Sequence, residues 1–245
     1  MKKIIDRMTE LIFPSGIYCI ACDNLTDKTR TYSLCDRCIT EIKWNVGRTC
    51  IKCGKSIAEN FDGELCYDCR NANHIFDRGY SCVTYEGWAK RIIQNMKYKD
   101  RSYISEKIAQ IMTDRDIDLS DKILVPVPMS PVKKTKRGYN QAELIAAALS
   151  KMTGSDYQEN VIKRYRESPA MSSLSREQRK LNSRNEFFVH EDGKKIVEGK
   201  SILLIDDVFT TGSTADACAE ALRNAGASKI DVFVFASGDN IRLDV

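Results

Sequence analysis

Apolar positions in the larger, C-terminal part of the chain follow two periods, and their alternation predicts a fold class. Short apolar runs lie in YSCVTYEG (80–87), KILVPVPMS (122–130), KSILLIDDV (200–208) and KIDVFVFAS (229–237). Runs of that length between turn residues read as strands, the second broken by Pro126 and Pro128. Between them the period becomes helical. WAKRIIQNMKYKD (88–100) puts Trp88, Ile92 and Met96 on one face, GYNQAELIAAALSKM (138–152) is rich in alanine, and TADACAEALRNAGA (214–227) is closed by Gly226. Strands alternating with helices predict a doubly wound, mainly parallel α/β sheet. Near the start, Ile4, Ile5, Met8, Leu11 and Ile12 fall at helical spacing and predict a short amphipathic helix stopped by Pro14.

The chain of 245 residues, 42% hydrophobic, suffices for one well-packed domain and a smaller unit. No apolar run approaches the roughly 20 residues that a membrane helix needs. Asp6, Arg7 and Glu10 interrupt the basic front of the chain, which makes it a poor signal peptide. The expectation is therefore a cytoplasmic protein without membrane insertion.

That location bears on the cysteines. Eight of the ten form four CxxC pairs, Cys19/Cys22, Cys35/Cys38, Cys50/Cys53 and Cys66/Cys69, with gaps of 12, 11 and 12 residues. A CxxC turn offers two thiolates at once, and two such turns complete a tetrahedral zinc site, so the block predicts two structural Zn2+ sites. An even count also permits a disulfide scaffold, which reducing conditions disfavour. Sequential pairing makes each half a self-contained ribbon and is preferred; an interleaved cross-brace stays open. A block this short builds little core, so metal supplies its folding energy, on the order of 10–16 kcal/mol in finger peptides. Cys218 shares a helical face with Ala215, Ala219 and Leu222 and reads as inert core. His74 and His190 lack a partner pattern and read as packing or surface residues, His74 having a slight case as a spare ligand.

Charge adds a hint about partners. Residues 1–78 hold 12 basic and 11 acidic side chains, residues 88–141 hold 12 and 6, and residues 160–185 hold 7 and 2. The excess positive charge lies outside the first third and suits a phosphate-bearing partner, whether nucleotide, sugar phosphate or nucleic acid.

ILLIDDVFTTGST (202–214) sharpens that hint. Ile202 to Ile205 predict a central strand, and Asp206 and Asp207 are expected to leave the sheet at its carboxyl end, where doubly wound sheets bind ligands. Thr210, Thr211, Gly212, Ser213 and Thr214 then form a loop into the next helix, where backbone N–H groups, hydroxyls and the helix dipole can hold a phosphate. Gly212 lets the backbone approach closely. The carboxylates suit ribose hydroxyls or a magnesium shell. An acidic pair at a strand end is also an ordinary turn former, and Ser or Thr an ordinary cap; it is their combination after an apolar strand that favours a site. GKS at 199–201 resembles the end of a nucleotide-binding P-loop, but it precedes its strand, and Lys194 stands where the first glycine belongs.

The same stretch resembles the 5-phosphoribosyl-1-pyrophosphate (PRPP) motif of type I phosphoribosyltransferases. VPVP (125–128), KRGYNQA (136–142), SLSREQRKLN (173–182), IIQNMKYKD and the cysteine block resemble the ComF family, and the likeness covers nearly the whole chain. It implies a type I phosphoribosyltransferase fold over residues 79–245, behind an N-terminal helix and double zinc ribbon over 1–78. It implies PRPP and Mg2+ as ligands. Asp206 and Asp207 would contact ribose hydroxyls and Mg-bound water, and Thr210–Thr214 the 5-phosphate. Val127 and Pro128 belong to the matching pyrophosphate loop, with Lys136 and Arg137 neutralising pyrophosphate; otherwise these are a proline-limited edge strand and a solvated basic turn. Arg176 falls in the segment matching a mobile catalytic loop; otherwise that segment is a charged helix start. The best-known relatives serve natural DNA uptake, which implies single-stranded DNA and other uptake proteins, such as a ComFA-like helicase, as partners. The alternative is a phosphoribosyltransferase acting on a small-molecule nitrogen acceptor, with no DNA role.

Overall fold

The computed structural model of the chain describes residues 17–27, 29–98, 101–164 and 186–239. The expected helix over 1–12 and the segment 173–182, with Arg176, lie outside the described residues.

Two cysteine ribbons come first, and the second repeats the first. Tyr18 bridges Leu25 as Thr49 bridges Ser56. The amides of Asp23 and Gly54, both at positive φ, donate to the carbonyls of Cys19 (3.0 Å) and Cys50 (2.8 Å). A short helix follows the third cysteine of each, α1 (Asp36–Glu41) and α2 (Tyr67–Arg70). The larger part then runs β1 (Arg78–Thr84), α3 (Gly87–Tyr98), α4 (Ile104–Thr113), β2 (Lys122–Pro126), α5 (Pro131–Arg137), α6 (Gln141–Thr153), β3 (Ile162–Arg164), β4 (Phe187–Val189), α7 (Glu191–Val197), β5 (Ser201–Phe209), α8 (Ser213–Asn224) and β6 (Lys229–Ser237).

The main sheet has the order β1-β6-β5-β2, and every pair is parallel. Side chains of a strand point to alternate faces, and both faces are covered, as a parallel sheet requires. Leu203, Ile205, Phe233 and Phe235 pack with Ile92, Met96, Ile108 and Ile145 of α3, α4 and α6. Ile202, Leu204, Val232 and Val234 pack with Cys218 and Leu222 of α8 and with Phe187 and Val189 of the small antiparallel β3–β4 ribbon. Each fully buried side chain of this size contributes about 1.5–3 kcal/mol, so these two layers dominate the stability of the larger part.

The ribbons join opposite layers. Cys19 and Cys38 belong to the cluster on the α3 side, whereas Cys50, Cys53, Cys66 and Cys69 belong to the one on the α8 side. The chain between them, together with the Cys50–Cys53 turn of the second ribbon, covers the outer edge of β1. Asn45 N–H donates to the Cys82 carbonyl (2.8 Å), Thr84 N–H to that of Lys43 (2.9 Å) and Gly79 N–H to that of Lys52 (2.7 Å). The backbones touch at Gly54, where a Cβ would lie 2.7 Å from Tyr80 Cα.

One expectation is corrected. Asp206 and Asp207 do not leave the sheet. β5 continues through both to Phe209, and Asp206 pairs with Val234 of β6. The neighbouring strand ends instead: β2 stops at Pro126, opposite Ile205. The crevice arises because β5 outlasts β2.

Candidate ligand crevice and metal centres

Beyond Ile205, strand alternation sends the two carboxylates to opposite faces. Asp206 lines a crevice with Val127, Val208 and the loop Thr210–Thr214 on the α8 side. Its Oδ1 accepts the amide of Asp207 (2.8 Å). Burial and the neighbouring Asp207 carboxylate hold the Asp206 carboxyl well above the usual carboxylate range. Asp207 faces α3, where Lys97 Nζ lies 3.0 Å from its Oδ2. Lys97, one of the 12 basic residues in the positively charged stretch 88–141, is thus engaged by Asp207.

The loop is built for close approach. Gly212, at φ +82°, caps α8, and Thr210, Thr211, Ser213 and Thr214 are exposed around it. Thr211 Oγ1 and Ser213 Oγ are 2.8 Å apart. A cluster of hydroxyls and N–H groups at the start of a 12-residue helix is suited to an anion. Its floor is aromatic: a Cβ on Gly212 would lie 2.7 Å from both His74 Cε1 and Phe209 Cζ. His74 is almost fully covered and its Nδ1 sits 2.8 Å from Asp216 Oδ2. Nδ1–H must be the donor, since a carboxylate accepts. Ile75 N–H donates to the other oxygen of Asp216 (2.8 Å). No sequence signal marks this pair, which spans 142 positions. His190 is structural: Nδ1 accepts Gly193 N–H at the start of α7, and Nε2 lies 2.7 Å from the Asn160 carbonyl.

The remaining expected residues are placed less centrally. Val127 is buried in the crevice wall, its amide bonded to the Ile205 carbonyl (2.9 Å) and its carbonyl to Asn140 Nδ2 (3.0 Å). Pro128 follows it, half-buried. Lys136 and Arg137 are not part of that wall. They end α5, a helix with no buried residue, where Arg137 Nη1 reaches Gln141 Oε1 (3.4 Å). Two aromatic residues near this surface are engaged internally: Trp88 Nε1 donates to Glu41 Oε2 (2.7 Å), and the Tyr139 hydroxyl donates to the Met96 carbonyl.

The cysteines gather sequentially. The sulfurs of Cys19, Cys22, Cys35 and Cys38 lie within 4.8 Å of one another, as do those of Cys50, Cys53, Cys66 and Cys69. Cys22 and Cys35 Sγ are 3.7 Å apart, and Cys53 and Cys66 Sγ 3.6 Å. A tetrahedron with bonds of about 2.3 Å has edges of about 3.8 Å, so both clusters fit zinc. Backbone amides support each set: Cys35 N–H donates to Cys19 Sγ (3.5 Å), and Cys66 N–H to Cys50 Sγ (3.3 Å). Cys82 and Cys218 stay outside both clusters. Burial pushes the Cys82 thiol up to about 12 and raises Cys218 as well, so both are inert.

This fold and crevice define a phosphoribosyltransferase-type protein. The chain belongs to the phosphoribosyl transferase domain family, which it matches over residues 104–243, and residues 8–70 match the double zinc ribbon domain. That layout is the one of the ComF family. The chain is 27% identical to Competence protein F of Haemophilus influenzae (83% of this chain, 90% of that one) and 23% identical to Competence protein ComFC of Bacillus subtilis (86% and 90%). It is 26% identical to DNA utilization protein YhgH of Salmonella typhimurium (82% and 89%). Among solved structures, a hypoxanthine phosphoribosyltransferase from Staphylococcus aureus aligns with 54% of this chain and 60% of its own, at 15% identity and a TM-score of 0.32. No helix among the described residues is long and apolar enough to cross a membrane.

Proposed function

We propose that the chain binds PRPP with Mg2+ in the β5–α8 crevice and acts in handling single-stranded DNA during uptake. The observation that carries the first part is the extension of β5 beyond β2. It sets the Asp206 carboxylate and the hydroxyl loop Thr210–Thr214 on one wall. The loop takes the 5-phosphate, and Asp206 takes the ribose diol or water on Mg2+. Asp207, held by Lys97 on the α3 face, supports the end of β5 from the other side. If the C1–O bond to pyrophosphate breaks, Mg2+ would neutralise the leaving group, and an acceptor nitrogen would form the new bond to C1 and pass its proton to solvent, with no covalent nucleophile on the protein.

The DNA part is supported by the names of the relatives and by α5. That helix has no buried residue and carries Lys133, Lys134, Lys136 and Arg137; Lys134 pairs with Glu143 (2.8 Å), and among the described residues the other three meet no acid. The competing assignment, a transferase for a small nitrogen acceptor, shares the crevice and differs only in this surface.

Titration calorimetry with PRPP decides the ligand. Binding should require Mg2+ and be lost in Asp206→Asn/Asp207→Asn; a correctly folded double variant of unchanged affinity would overturn the assignment. Release of pyrophosphate across a panel of bases and amines then reports whether turnover occurs.

A further inference from the structure

The second ribbon reaches the phosphate loop through a chain of contacts that the ribbon itself does not need. After Cys69 the backbone runs under α8, where His74 lies beneath Gly212, bonded through Nδ1 to Asp216 in the first turn of that helix (2.8 Å). The ring stacks on Phe76 (4.8 Å between centroids) and meets Phe209 edge-on (5.8 Å). Lys55, two residues beyond Cys53, approaches the same floor. Its side chain is 3% exposed, its Nζ sits 2.7 Å from Asp68 Oδ2 between the last two cysteines, and it lies over the Phe209 ring at 5.9 Å. Phe209 is the last residue of β5 and precedes the loop. The described residues of the first ribbon join the layer on the other side of the sheet instead.

From this geometry we infer that His74, clamped to Asp216, is a positioning residue through which the second cysteine cluster fixes the shape of the phosphate loop. The inference rests on reading Thr210–Thr214 as the phosphate cradle. A left-handed glycine at a helix start has several alternative conformations open to it. His74 removes them by filling the space beneath Gly212, and Asp216 holds the ring there. The loop is thus preorganised from the ribbon side, and phosphate binding costs less ordering. Coupling of this kind is reciprocal, so a ligand in the loop should in turn steady the second metal site.

The test uses the full-length, zinc-loaded chain. In ligand-free protein, His74→Ala should speed hydrogen exchange of residues 210–216 by about tenfold, the factor that loss of one buried hydrogen bond carries, while exchange in β1 and β2 stays unchanged. His74→Asn, whose amide can donate from near the Nδ1 position, should restore most of the protection. Affinity for Mg-PRPP should fall and recover in step. Exchange within twofold of wild type in folded His74→Ala overturns the clamp. If His74→Ala does not fold, wild type alone decides: saturating Mg-PRPP should slow chelator-driven alkylation of Cys50–Cys69 and leave Cys19–Cys38 unaffected. Equal slowing at both clusters, or at neither, overturns it. Absence of PRPP binding in wild type would count against the proposed ligand, and the exchange comparison would still judge the clamp.

Discussion

At the end of β5, adjacent carboxylates leave the backbone on opposite faces, and their surroundings give them different work. Asp207 meets a cation, Lys97, whereas Asp206 meets a covered crevice and the charge of its neighbour. A carboxyl held above its ordinary range opposes folding at neutral pH: its contribution is full below the unfolded value, near 4, and is lost as pH rises through the folded value. Asp206→Asn should therefore stabilise the ligand-free protein near pH 7. The expected rise in thermal midpoint is about 2–4 °C, the shift that roughly 1 kcal/mol makes in a chain of this size. Mg-PRPP favours the ionised carboxylate, so binding should release a proton and weaken as pH is lowered. Calorimetry in two buffers of different ionisation enthalpy checks this; identical heats would contradict it.

The long strands and helices are legible in the sequence because their apolar periods reflect two covered sheet faces. The PRPP-like loop is legible because its residues are contiguous. Helix α4 is absent from the sequence expectations although Ile104, Ile108, Ile111 and Met112 carry its period, because charged residues on both sides of this ten-residue stretch dilute the signal. β3 and β4 have three residues each, too few to show alternation. Lys97 and His74 could not be assigned because their partners lie more than a hundred positions away, and nothing local to a lysine or histidine announces such a contact. Gly212→Val places a branched side chain at φ +82° and 2.7 Å from His74 and Phe209, so it should cost about 2 kcal/mol or more of stability and abolish PRPP binding, both measurable by thermal melts and calorimetry. On α5, Lys133→Ala/Lys136→Ala should reduce the slope of log affinity against log salt for a labelled single-stranded oligonucleotide by up to about 1.4. Lys97→Ala, by contrast, should act mainly on PRPP, because Lys97 is engaged with Asp207. No binding by wild type at low salt would remove the DNA role and leave the small-molecule transferase.

At the scale of the molecule, the two metal clusters are alike internally and unlike in what they support. Cys19, Ile20, Leu34, Cys38 and Ile42 share a core with α3, α4 and α6, and the Tyr32 hydroxyl donates to Asp114 just beyond α4. Cys50, Ile57, Cys66 and Cys69 share a core with Phe76, Phe209 and Ala215, under the crevice. Loss of one thiolate should empty its cluster, since metal binding and folding are coupled in a ribbon with little core of its own and a structural site needs all four ligands to close. Cys35→Ser and Cys66→Ser should therefore each leave one zinc per chain by elemental analysis and lower the thermal midpoint, because each ribbon is continuous with one layer of the sheet. Their effects on ligand binding should differ. Cys35→Ser loosens the α3 side, reaching the site only through Lys97 and Asp207, and should keep measurable PRPP affinity. Cys66→Ser removes the support of His74 and Phe209 and should weaken PRPP binding by about tenfold or more, a loss of at least roughly 1.4 kcal/mol. Calorimetry on both variants below their melting temperatures separates the cases. Equal affinities would mean that the ribbons stabilise the fold without shaping the crevice.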